Sequence, residues 1–156
     1  MEDPLGPVHA RRAHQVGGGP MKVMTFQVKT AARSDAVDIT ASVAEKVRES
    51  GVRHGVCLVY VPHTTAGVTI NEGADPAVMD DVLRALDRMV PWQADYRHSE
   101  GNAAAHIKTT LTGSSVSVLV GNGRLLLGTW QRIFLCDFDG PRTRKVHVTV
   151  QGGDSA

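Results

Sequence analysis

No apolar run in this chain is long enough to cross a bilayer, and no apolar stretch follows Arg11 and Arg12 as a secretory signal would require. Neither sign of charge dominates: 17 Lys and Arg stand against 16 Asp and Glu, for a formal net charge of +1. Nonspecific nucleic-acid binding needs a phosphate-neutralising excess, and no basic block exceeds short groups such as Arg142, Arg144 and Lys145, so the composition argues against it. Cysteine is nearly missing. Cys57 and Cys136 each lie within an apolar stretch that reads as a strand. They fit reduced core thiols of a cytoplasmic protein, with a bridge between strand neighbours as the alternative.

What is present suffices for one ordinary domain, since 156 residues at 42% hydrophobic can bury a substantial core. Residues 1–20 are rich in Gly, Pro, His and Arg and close on Gly17-Gly18-Gly19-Pro20. They read as a disordered extension, with Met21 a candidate start, residues 21–150 as the domain and residues 151–156 as a tail.

Val23 to Thr30 alternates and predicts a first strand, and Ser34 to Asp38 reads as a polar turn. Thr40 is placed to cap a helix carrying Val43 and Val47, which Gly51 ends. Val56 to Val61, bounded by Gly55 and Pro62, predicts a strand covered on both faces; a short strand over Val68 to Ile70 follows. Asp75-Pro76 is a helix start, and Met79, Val82, Leu83, Leu86, Met89 and Val90 recur at helical spacing behind it. Gly101 to Thr112 predicts a third helix with Asn102 and His106 on one face and Lys108 pointing elsewhere. The last third predicts a β-meander: Ser115 to Val120, Leu125 to Asp137 and Lys145 to Val150, with His147 facing solvent. The fold class that follows is α+β, a compact single domain with antiparallel-rich, β-sandwich-like sheets and about three helices.

The polar motifs carry the chemistry. Tyr96 to Lys108 gathers His98, Glu100, Asn102, His106 and Lys108 into thirteen residues. Imidazoles beside a carboxylate suit proton exchange or metal binding, although the spacing of His98 and His106 matches no common zinc pattern. His63-Thr64-Thr65-Ala66-Gly67 offers an imidazole, two hydroxyls and a flexible backbone able to hold phosphate oxygens; it reads equally as a polar turn. Trp130, in Gly128-Thr129-Trp130-Gln131, is either core or a stacking surface for a flat ring. Arg142, after Asp139-Gly140-Pro141, is either part of a solvated hairpin or an anion contact.

Together His63-Thr64-Thr65-Ala66-Gly67, Thr69-Ile70-Asn71-Glu72, Asp75-Pro76, His98-Ser99-Glu100-Gly101-Asn102, Ala105-His106-Ile107-Lys108, Gly128-Thr129-Trp130-Gln131 and Phe138-Asp139-Gly140-Pro141-Arg142 closely resemble the YjbQ-like family. That family is also named secondary thiamine-phosphate synthases, and the resemblance runs from about Val23 to Val150 in matching order. It implies a sandwich-like homotrimer with weak thiamine-phosphate synthase activity. Such an enzyme joins an aminopyrimidine methyl diphosphate to a thiazole phosphate and releases pyrophosphate.

That reaction asks the protein to neutralise a departing anion, hold a flat ring and exclude water. The expected catalytic residues are His63, His98, Glu100, Asn102 and His106. Thr64, Thr65, Gly67, Lys108, Trp130 and Arg142 are the expected contacts to a small-molecule phosphate substrate. His63, His98 and His106 are expected to share a divalent ion, zinc, manganese or magnesium; three imidazoles suit zinc or another transition metal better than magnesium. Two other functions use the same residues: a noncatalytic trimer binding a small anion or metal, and a metal-assisted phosphate or ester hydrolase with Glu100 as general base.

Overall fold

The structure, a computed structural model, describes residues 21–152; the N-terminal extension expected over residues 1–20 and most of the expected tail lie outside the described residues. The chain runs β1 (Met24–Lys29), β2 (Asp35–Asp38), α1 (Thr40–Ser50), β3 (Gly55–Tyr60), β4 (Ala66–Glu72), α2 (Pro76–Met89) and α3 (Ala103–Thr112). It continues through β5 (Ser115–Gly121), β6 (Arg124–Leu125), β7 (Gln131–Asp137) and β8 (Thr143–Gly152). Two antiparallel sheets face each other, ordered β1-β8-β3-β5-β6 and β2-β7-β4. Among the described residues this is the α+β sandwich, with three helices, that the sequence predicts.

The main core lies between the sheets. Val28, Cys57, Val59, Val118, Val146 and Val148 meet Val68, Ile133 and Leu135, and α1 adds Val43 and Val47. A second cluster packs α2 and α3 through Met79, Ala105, Phe134, Cys136 and Phe138. Along β7, Ile133 and Leu135 belong to the first cluster while Phe134 and Cys136 belong to the second. An unbroken apolar run is what a strand between two cores needs, because alternate side chains enter opposite faces.

That role was expected of β3, which proves one-sided. Cys57 and Val59 are fully buried, whereas Val56, Leu58 and Tyr60 are 41%, 38% and 45% exposed on the outer face of the five-stranded sheet. His147 shares that face, half-buried rather than open, because Thr25 Oγ1 lies 2.8 Å from its Nδ1 and Tyr60 stacks on its ring.

Other boundaries differ for identifiable reasons. Ser34 to Asp38 is not a turn: Asp35–Asp38 pairs with β7 from Asp137 to Phe134, a polar edge strand held by its partner's ladder. Thr40 does not cap α1; its hydroxyl accepts from Ile133 N at 2.9 Å, while Asp38 Oδ1 takes the Thr40 amide. Helix α3 begins at Ala103, two residues later than expected. The C-terminal third is no meander. After the β5-β6 hairpin, turned through Asn122 and Gly123 at positive φ, the chain crosses to the other sheet for β7 and returns as β8 between β1 and β3. Strand β8 also runs on through Gln151 and Gly152, where Gly152 pairs with Gly55, into the first residues assigned to the tail. No helix among the described residues is long and apolar enough to cross a membrane.

Both cysteines are free and buried. Burial pushes the Cys57 thiol up to about 11 and the Cys136 thiol, further raised by Asp35, to about 12. The thiolate is the nucleophile. Native protein at pH 8 is therefore expected to react with neither thiol on the minutes scale in an aromatic disulfide assay, and to titrate two thiols once unfolded in urea. Rapid reaction of either thiol in the native state would contradict this placement.

Candidate functional site

The centre of the site is an ion pair that sequence reasoning did not anticipate. Asp137, at the end of β7, is completely buried, and Arg144, near the start of β8, is almost so. They meet as a fork: Arg144 Nη2 lies 2.6 Å from Asp137 Oδ1 and Nε 3.0 Å from Oδ2. Thr30 Oγ1 donates to Oδ2 at 2.6 Å, and the Asp139 amide donates to Oδ1 at 3.0 Å. Burial raises the Asp137 carboxyl, but the bonds from Arg144, Thr30 and the Asp139 amide, with the guanidinium charge, outweigh it and hold the carboxyl below the ordinary range. A signal was available. Val146, Val148 and Val150 point inward on β8, so Arg144 has inward parity as well.

Asp139, two residues on, carries the network outward. Its carboxylate accepts from Asn102 Nδ2 at 3.0 Å and Arg142 Nη2 at 2.9 Å, and its carbonyl accepts from Arg142 Nε at 2.7 Å. Two expected site residues, 40 positions apart in sequence, are thus joined through a carboxylate that was given no role.

His63, Thr64, His106, Thr109, Thr110, Gly113 and Ser114 line a cleft of about 380 Å³. Imidazoles and hydroxyls dominate it, and its lining has no carboxylate. His106 also touches His98 edge to face, with ring centroids 5.1 Å apart, and His98 Nε2 stands 3.8 Å from Glu100 Oε2. His63 is held from the strand side, its Nε2 accepting the Lys145 backbone N–H at 2.9 Å. Partial burial, then the charge of Arg144, hold the His63 ring below its ordinary pKa. His98 and His106 are in contact and His106 shares the cleft with His63, but among the described residues no three His, Cys, Asp or Glu side chains form a metal-holding group.

The remaining expected residues are dispersed. Thr65 is buried, and its hydroxyl accepts from Arg144 Nη2 at 2.8 Å. Gly67 belongs to β4 rather than to a flexible turn. A Cβ there would lie 2.4 Å from the Gly113 carbonyl oxygen, so the glycine serves close packing against the end of α3. Lys108 is buried and paired with Asp87 of α2, which also accepts from Ser34 Oγ at 3.2 Å. Trp130 is 62% exposed in the turn before β7, where Gln131 Oε1 accepts the Gly128 amide. Thr109 and Thr110 were missed, having been read as the end of a helix, and Ser114 fell between that helix and the next strand.

With this geometry established, the family profile described as UPF0047 protein YjbQ-like matches residues 24–153. The chain belongs to the YjbQ-like family. It is 51% identical over 129 residues to the UPF0047 protein YugU of Bacillus subtilis, covering 82% of this chain and 98% of the relative. A UPF0047 protein of Archaeoglobus fulgidus is 48% identical over 127 residues, covering 80% and 98%. A crystal structure of a YjbQ/UPF0047 family protein from Clostridium acetobutylicum superposes with a TM-score of 0.81 at 50% identity, covering 82% of this chain and 99% of that one.

Removing one partner of a buried ion pair leaves the other charge uncompensated. Arg144→Ala is expected to lose about 3–5 kcal/mol of stability in urea titrations, and Asp137→Ala a comparable amount. Asp137 contributes in full above the unfolded carboxyl pKa of about 3.9 and loses that contribution as pH falls through its lower folded value. His63, also depressed, contributes in full above about 6.5 and loses stability as pH falls below that into its folded value. Stability curves from pH 7.5 to 3 should therefore fall in two stages, the first absent in His63→Gln; an unchanged first stage would show that His63 is not its source.

Proposed function

We propose that the cleft between His63 and α3 binds a phosphate-bearing small molecule, and that the protein is a transferase of the secondary thiamine-phosphate synthase kind. The observation that carries this reading is the cleft lining: two imidazoles and the hydroxyls of Thr64 and Ser114, with Thr109 and Thr110 behind them and no carboxylate to repel an anion; the Thr110 hydroxyl is already given to the His106 carbonyl at 3.0 Å. Hydroxyl and imidazole donors suit phosphate oxygens at pH 7. Arg142, fixed by Asp139 through Nε and Nη2 yet half exposed, retains further N–H groups for the same kind of ligand.

In the proposed reaction the methylene C–O bond of the aminopyrimidine methyl diphosphate breaks and pyrophosphate leaves with the electron pair. The thiazole nitrogen donates its lone pair to the methylene carbon and becomes the positively charged ring nitrogen of the product. No proton need be removed. The chain's task is to receive the negative charge gathering on the departing oxygens, for which preorganised donors are effective. The three-histidine set does not fit a shared divalent ion within one chain, and no step is assigned to one.

We further propose that the protein acts as a homotrimer in the cytoplasm. Val56, Leu58, Tyr60 and Leu119 form an exposed apolar area on the outer sheet face, the kind of surface that association covers. Two free buried thiols suit a reducing compartment.

Two measurements test these readings. Protein supplied with both substrates should release pyrophosphate only when both are present, and His106→Ala, which removes one donor to the departing oxygens, should slow release by about 100-fold. Pyrophosphate alone should raise the melting temperature. Release from the diphosphate without the thiazole would identify a hydrolase, and stabilisation without turnover a binding protein. In light scattering the wild type should show three times the 16.7 kDa chain mass, and Leu58→Asp should approach the monomer. A monomeric wild type at micromolar concentration would remove the trimer.

A further inference from the structure

The hydrogen bond between the Lys145 amide and His63 decides which nitrogen of His63 carries its proton, and so what this ring can do in the cleft. Pro62 ends the β3 side of the ladder, since the last β3-β8 pair is Tyr60 with His147. Beyond that pair the Lys145 N–H has no strand carbonyl from β3, and His63 Nε2 accepts it at 2.9 Å. A backbone amide can only donate. The accepting nitrogen must therefore offer its lone pair, and the neutral ring then carries its hydrogen on Nδ1.

We propose that His63 is a fixed Nδ1–H donor of the cleft, directed at an acceptor oxygen of the bound molecule, and not a metal ligand. A metal on Nδ1 would displace that hydrogen to Nε2, where it would oppose the Lys145 N–H. Metal-bound imidazoles instead point their second nitrogen, as a donor, at a carbonyl or carboxylate. The environment agrees, because burial and the nearby Arg144 guanidinium disfavour the doubly protonated ring. Thr64 and Ser114 stand beside His63 in the cleft lining, so its N–H acts among hydroxyls that can share one oxyanion.

The ligand side of this proposal rests on the cleft being the binding site; the tautomer does not. Multiple-bond proton–nitrogen spectra of the full-length, ligand-free protein at pH 7.5, with the His63 signals assigned from a His63→Gln variant, should show the proton on Nδ1. Equimolar zinc should leave the His63 pattern unchanged, whereas pyrophosphate should move it. His63→Gln keeps both roles, since its carbonyl can accept the Lys145 amide while its NH2 still donates, and it serves as the folded control that retains pyrophosphate binding; His63→Leu removes the donor. In His63→Leu the affinity for pyrophosphate should fall about tenfold or more below that control, the scale of one hydrogen bond to a charged group. A proton on Nε2, a zinc-bound pattern at His63, or pyrophosphate affinity in His63→Leu equal to that of His63→Gln would each overturn the proposal. Wild-type protein indifferent to pyrophosphate would overturn the phosphate reading of the cleft and with it the oxyanion partner of His63; the ligand-free spectrum would still decide the tautomer.

Discussion

The Arg144–Asp137 pair is the interaction on which the placement of the site depends. Two charges removed from water carry a desolvation cost of several kcal/mol per ion, and only good geometry with saturated oxygens offsets it. Here the fork is complete, and Thr30 and the Asp139 amide occupy further positions on the carboxylate. The bonds join the end of β1, the end of β7, the start of β8 and, through Thr65, the entry to β4. Four strand ends share one node, and none can shift without exposing a charge to the core.

Both sides of the cleft inherit that constraint. On one side Arg144 fixes the start of β8, whose next amide, Lys145, holds the His63 ring. On the other, α3 ends at Gly113, whose carbonyl accepts the Val68 amide at 3.0 Å and sits where a side chain on Gly67 would be. The helix bearing His106, Thr109 and Thr110 is thereby set against the edge of β4 by backbone contact. Asp139 ties Asn102, just before the first turn of α3, to the same segment. Side chains presented from such elements are held near one geometry, which is what a preorganised donor set requires.

Periodicity made the fold class legible, along with β1, α1, α2 and α3 to within a few residues, because those signals are local. The Asp75-Pro76 start of α2 is an example: Asp75 Oδ1 accepts the Ala77 amide exactly where a cap belongs in chemical terms, one residue before Pro76 opens the helix. The assignment of strands to sheets was not local. The apolar run of β7 and that of β3 look alike in sequence, yet β7 lies between two clusters and β3 shows one apolar face to the outside. What separates them is the position of α2 and α3, which cover the three-stranded sheet only. The site followed the same division. Its histidines and Asn102 stood out as residue types, whereas Asp137 and Asp139 looked like charges of a solvated turn and Arg144 like one of a short basic group, and they became visible as a network only with the register of β8.

The imidazoles of this protein show why residue type alone cannot assign chemistry. His98 and His106 face one another near Glu100, His147 is stacked on Tyr60, and His63 is bound to a backbone amide. Each side chain has the same intrinsic donors and acceptors, so the neighbour on one nitrogen determines what the other can offer. A donor next to His63 makes it a donor toward the cleft. A ladder continued two residues further, to the position opposite Lys145, would have given its amide a carbonyl partner and released the ring. The end of a sheet ladder at Pro62, a feature of folding, thus sets the hydrogen-bonding polarity of one wall of the cleft.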